Sequence, residues 1–126
     1  MEKSFSERVE EAFGAVKALS PQEASKYKMI DPNTVFVDPR DEVDIQSTTG
    51  IIPGALNVPL DALSQDTLDQ LPEELRSRTR TIIASCQGGP MGALAAHALK
   101  KHGYSNVYFI EGGTQNWLDS GYTTAK

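Results

Sequence analysis

Cys86 is the only cysteine in the sequence, and Gln87-Gly-Gly-Pro-Met-Gly92 follows it directly. Three glycines and a proline in six residues continue neither a strand nor a helix. Ahead of the cysteine, Thr81 to Ser85 is the short β-branched and apolar run of a buried strand. Beyond the loop, from about Gly92, the residues Met91, Leu94, Ala95, Ala98 and Leu99 recur at helical spacing. The spacing therefore places a thiol at the end of a strand, before the positive end of a helix. The first N–H groups of a helix lack intrahelical partners and, with the helix dipole, stabilise an anion. For a cysteine that anion is the nucleophilic thiolate. A small buried hydrophobe is the other use of a single thiol. Glycines immediately after it favour chemistry, because they cost chain entropy unless backbone must approach something.

A second candidate pair is Asp38 and Arg40. Val35-Phe-Val37 is a continuous apolar run suited to a central strand covered on both faces. Pro39 cannot donate to a ladder, so that strand stops near Val37 or Asp38. Asp38 and Arg40 then lie past the carboxyl end of a strand, where open α/β sheets place ligand sites. A local ion pair that ties the turn is the competing reading. Blander roles fit the remaining polar groups. Arg76, Arg78 and Arg80 read as a solvated connection, His97 as a solvent-facing helix flank, and His102 as part of a helix end. No histidine or carboxylate pair has metal-ligand spacing, so neither metal nor cofactor is expected.

The elements that must hold these residues can be read in order. Phe5, Val9, Ala12, Phe13 and Val16 form one stripe of an amphipathic helix over Phe5 to Leu19, which packs on the domain or on a second copy as a homodimer. Ser20-Pro21-Gln22-Glu23 is a helix start with a capping box, and Asp31-Pro32-Asn33 a turn. Glu42 to Thr49 reads as a short helix, and Gly50 to Pro59 as a turn into a strand around Ala55 to Val58. Asp61 to Leu75 holds one or two short helices. Lys100-Lys101-His102 and Gly103 close the central helix. Asn106 to Ile110 is the last strand, Glu111-Gly112-Gly113 a tight turn, and Thr114 to Leu118 a helix anchored by Trp117. Strands alternating with helices give an open parallel α/β sheet of about five strands with helices on both faces. Residues 1–19 form the amphipathic helix and residues 20–126 the domain proper.

The 126 residues carry a net charge of −5, which disfavours nucleic acid or an anionic membrane as partner. No apolar run reaches the length of a membrane span, and a cytoplasmic location is the default expectation.

Four motifs in order carry a family resemblance: Val-Phe-Val-Asp-x-Arg at 35–40, Gly-x-Ile-Pro-Gly-Ala-x-Asn at 50–57, a strand ending in Cys86, and Tyr-Phe-Ile-Glu-Gly-Gly-x-x-x-Trp at 108–117. Together they resemble a single-domain rhodanese over roughly residues 20 to 122. The resemblance implies a sulfurtransferase. Cys86 would take the outer sulfur of a donor such as thiosulfate or a polysulfide, hold it as a persulfide, and pass it to cyanide or a thiol, including a protein thiol. Gln87, Gly88, Gly89, Pro90, Met91 and Gly92 would cradle the persulfide, with Asp38 and Arg40 beside them.

The sequence also departs from that family. The loop commonly reads Cys-x-x-Gly-x-Arg, and here Met91 stands at the arginine position and Ile51 where histidine is frequent. The missing charge-assisted contact is worth about 1.5–3 kcal/mol in oxyanion binding. Preference for thiosulfate then depends on a replacement charge, from Arg40 at the neighbouring strand end or from a Lys or Arg elsewhere. A Cys-x5-Arg phosphatase needs an arginine six positions past the cysteine, and that residue is Gly92. A rhodanese-like interaction or regulatory module without turnover is the remaining alternative.

Overall fold

The computed structural model describes residues 3–64 and 71–125. Its elements are α1 Phe5–Ala15, β1 Lys17–Leu19, α2 Pro21–Ile30, β2 Val35–Asp38, α3 Glu42–Ser47, β3 Leu56–Asn57, α4 Leu60–Ser64, a 3-10 turn Glu73–Leu75, β4 Ile82–Ala84, α5 Pro90–Lys101, β5 Val107–Ile110 and α6 Gly113–Asp119. The five strands run parallel in the order β1-β5-β4-β2-β3. Parallel neighbours need crossovers, and helices supply them on both faces.

The period of two along each strand divides the core. Val35, Val37, Ile82, Ala84, Val107 and Phe109 pack with Ala12 and Leu63 and with the apolar face of α5. Phe36, Ile83 and Ile110 pack with Ala24 of α2 and Trp117 of α6. Every residue of β2 and β4 is buried, as their unbroken apolar runs predict. Trp117 anchors α6 as expected: its ring meets Phe36 edge-on at 5.7 Å and Tyr122 at 4.5 Å, and its Nε1 donates to Thr123 O at 2.9 Å.

The predicted elements need two corrections. The helix expected over Phe5–Leu19 ends at Ala15. Val16 turns extended, and Lys17–Leu19 pairs with Tyr108–Ile110 as an edge strand. The free backbone edge of β5 outweighs the helical pattern there, since a three-residue strand carries too few side chains to announce itself. The central helix begins at Pro90 rather than near Gly92, because proline at the first helical position gives up only an N–H that has no partner anyway. Of the short-helix region expected over Asp61 to Leu75, the helix Leu60–Ser64 and the 3-10 turn Glu73–Leu75 are seen, and residues 65–70 between them lie outside the described residues.

The amphipathic helix α1 packs on α5: Lys100 Nζ donates to Ala15 O at 2.7 Å, and Phe13 lies 5.5 Å from Phe109 by ring centroids. No helix among the described residues is long and apolar enough to cross a membrane.

Candidate active site

Strand β4 delivers Cys86. Ser85 N–H donates to Val37 O at 2.9 Å, which holds the chain on the sheet for one more residue. Cys86 then turns inward and is only 3% exposed. Gly89 caps α5 with φ +121°, a value that L side chains rarely adopt, and offers no side chain to the helix end. Its own N–H donates instead to Cys86 Sγ at 3.0 Å. An N–H aimed at sulfur serves a thiolate or a persulfide anion better than a neutral thiol.

The loop is held from behind by backbone. Thr114 N–H donates to Cys86 O at 2.7 Å and Gln115 N–H to Gln87 O at 3.1 Å. Gly113 makes this approach feasible: a Cβ there would stand 2.6 Å from Gln87 O and 2.7 Å from Cys86 O, and its φ is +65°. The buried hydroxyls of Ser85 and Thr114 meet at 2.7 Å beneath the loop. The Glu111-Gly112-Gly113 turn thus abuts the cysteine loop, while the Glu111 side chain is exposed.

A cavity of about 320 Å³ opens at Cys86 and is lined by Gln87, Gly88, Pro90, Met91 and Arg40. Most of the candidate residues therefore converge. Gly92 does not face this space. It lies inside α5, where a Cβ would come within 3.3 Å of Cys86 N and 3.4 Å of Ala84 O, so it sets the helix-to-strand distance. Asp38 stands behind Arg40 at 2% exposure.

The Asp38–Arg40 pair forms the expected ion pair beside the cavity. Arg40 Nε and Nη2 donate to the two carboxylate oxygens of Asp38 at 3.0 and 2.7 Å. Nη2 also reaches Thr49 Oγ1 and Gly50 O, at 3.0 and 3.1 Å, and Nη1 donates to Thr48 Oγ1 at 3.2 Å. Arg40 lines the cavity, yet its charge is already matched by a bidentate carboxylate.

Three further residues line the cavity: Phe5 from α1, Asp44 from α3, and Thr48, the C-cap of α3. The last two are joined at the helix end, where Thr48 Oγ1 donates to Asp44 O at 2.5 Å. Phe5 was assigned to the packing stripe, but it is 58% exposed. His97 was expected to face solvent and is half-buried instead. Burial, then the neighbouring Lys101 charge, holds its pKa below the usual histidine value.

A parallel sheet that presents a cysteine at a strand end, before a helix with a glycine cap, defines a class of cysteine-centred α/β domains. Residues 20–120 match the Rhodanese-like domain family, and the chain belongs to it. The thiosulfate:glutathione sulfurtransferase of Saccharomyces cerevisiae is 31% identical over 98 residues, covering 72% of this chain and 69% of that protein. The tRNA uridine(34) hydroxylase of Pectobacterium carotovorum is 36% identical over 87 residues, covering 66% of this chain. The chain spans 23% of that hydroxylase's length. A structure from Rhodopseudomonas palustris, described as a protein of unknown function and possible tyrosine phosphatase, superposes with TM-score 0.83 at 25% identity and covers 99% of this chain and 96% of its own.

Proposed function

We propose that the protein is a sulfurtransferase that carries sulfane sulfur as a persulfide on Cys86. The observation that carries this reading is the Gly89 N–H placed 3.0 Å from Sγ of Cys86, a residue that lines the cavity. Family membership and the yeast thiosulfate:glutathione sulfurtransferase support it. In the first step the Cys86 thiolate attacks the outer sulfur of a donor. The donor's S–S bond breaks, and sulfite or a thiolate leaves with the electron pair. In the second step an acceptor thiolate attacks the terminal sulfur and releases Cys86 as thiolate. The loop amides stabilise the persulfide anion between the steps.

The competing activities fit less well. A phosphatase would clamp phosphoryl oxygens with an arginine at the position of Gly92, which is buried against β4 and has no side chain. A net charge of −5 disfavours a tRNA partner for this chain by itself.

The deciding measurement is intact mass after incubation with a sulfane-sulfur donor. The expected result is about +32 Da, one sulfur atom, removed by dithiothreitol and absent in Cys86→Ser. No adduct from thiosulfate, polysulfide or an organic persulfide would leave a binding module in its place.

A further inference from the structure

The walls of the cavity bear on which donor it admits. Its cation, Arg40, is spent on Asp38, and the cysteine loop contributes no charge. The charge that remains on the lining is the carboxylate of Asp44. Thiosulfate, a dianion, would enter against that carboxylate with no unmatched cation among the lining residues to receive it. Beside the uncharged Thr48, Gln87 and Gly88, the lining carries three large apolar side chains, Phe5, Pro90 and Met91. Pro90 and Met91 come from the start of α5, and Phe5 from the start of α1. Phe5 precedes the family match at residues 20–120, so this wall comes from the chain's own N-terminal helix. A phenylalanine that lines a cavity yet is 58% exposed gains by covering an apolar ligand, and methionine adapts its shape to one.

We infer that the donor taken at Cys86 is an organic persulfide, RS–SH, with an apolar R group, and that Phe5 determines this specificity by receiving R. The inference rests on the sulfur-transfer reading. The Cys86 thiolate bonds to the outer sulfur of RS–SH, the donor S–S bond breaks, and RS⁻ departs with the electron pair. The proton of the outer sulfur passes to solvent or to RS⁻. One thiolate replaces another, so no external oxidant or reductant is consumed.

The test compares initial rates of Cys86 persulfide formation on the full chain, read by intact mass, for benzyl persulfide, 2-hydroxyethyl persulfide and thiosulfate. Each rate is divided by that donor's rate with free cysteine, which removes intrinsic reactivity. The normalised rate for benzyl persulfide should exceed both others by about tenfold. Phe5→Ser should bring the benzyl-to-hydroxyethyl ratio close to one, and Phe5→Leu should retain most of it. An unselective wild type, a ratio unchanged in Phe5→Ser, or thiosulfate as the fastest donor overturns the inference while leaving sulfur transfer standing. Absence of a Cys86 adduct from all three donors overturns sulfur transfer and this inference with it. A circular-dichroism melt of each Phe5 variant shows whether a lost ratio is instead lost fold.

Discussion

Two helices of this protein begin with proline and are finished in opposite ways. At Pro21, α2 is closed by its own side chains: Glu23 N–H donates to Ser20 Oγ at 3.1 Å and Ser20 N–H to Glu23 Oε1 at 3.0 Å. At Pro90, α5 has only Gly89 for a cap, with no side-chain bond to the helix end. The α5 arrangement forgoes a cap worth about 1 kcal/mol. In exchange its cap residue turns an N–H to Cys86 Sγ. A helix end satisfied by its own side chains is a joint, whereas one capped by glycine keeps a donor for something else. Lys100 and Lys101 in the last turn of α5 favour the same dipole from the other end.

The sharpest way to break this contrast is from behind the loop. Gly113→Ala puts a Cβ within 2.8 Å of three backbone atoms of residues 86 and 87 and retains a φ of +65°. The expected loss is about 2–4 kcal/mol in urea unfolding, with Cys86 loading lost as well, because the loop must move away from α6. A variant that stays within a few tenths of wild type would show that the loop is not braced there. Gly89→Ala is the next step down. Its Cβ has room, the nearest atom being Gly112 N at 3.6 Å, so the cost is the backbone conformation alone. About 1–3 kcal/mol and slower persulfide formation are expected. Unchanged stability would mean that the φ of +121° is not required.

Met91→Arg asks what a side-chain cation adds to a cradle made of backbone. Thiosulfate loading should rise by on the order of tenfold, the gain from one charge-assisted contact. A cation in the first turn of α5 opposes the dipole, so a small stability loss of about 0.3–1 kcal/mol should accompany the faster reaction. A flat thiosulfate rate would show that donor charge does not limit loading.

The comparison also explains what could be read from the chain. The capping box at Ser20, the buried runs of β2 and β4, and the turn at Gly112–Gly113 are local patterns, and each appears where the sequence puts it. Cys86 before a glycine-rich helix start is equally local. Strand β1 was hidden because the strand it pairs with, β5, lies about ninety residues away. Pairing of that kind leaves little mark on three residues. Phe5 at the cavity was hidden for the same reason: a helical stripe shows which residues share a face, not which part of the face runs past its packing partner. Arg40 shows a third limit. Its position beside the site was legible, but the neutralisation of its charge by Asp38 depends on side-chain geometry that spacing does not specify.

The smallest expected effect is at the closed end of the contrast. Ser20→Ala should cost about 1 kcal/mol, the ordinary value of an N-cap. Glu23 gives the same joint a pH signature. Its pKa is lowered from 4.5, first by the backbone hydrogen bond from Ser20 and then by the Ser20 side chain. A carboxylate depressed in the folded state stabilises fully above its unfolded pKa and loses that contribution as pH falls through the folded value. Glu23→Gln can keep the hydrogen bond but cannot titrate. The difference between wild-type and Glu23→Gln urea midpoints should therefore be constant above about pH 5.5 and shift against the wild type below about pH 4.5. Glu7 has the same kind of lowered pKa at the start of α1 but is common to both proteins, so its titration cancels in the difference. A difference that does not change with pH would mean that the box is held by the Ser20 hydroxyl alone.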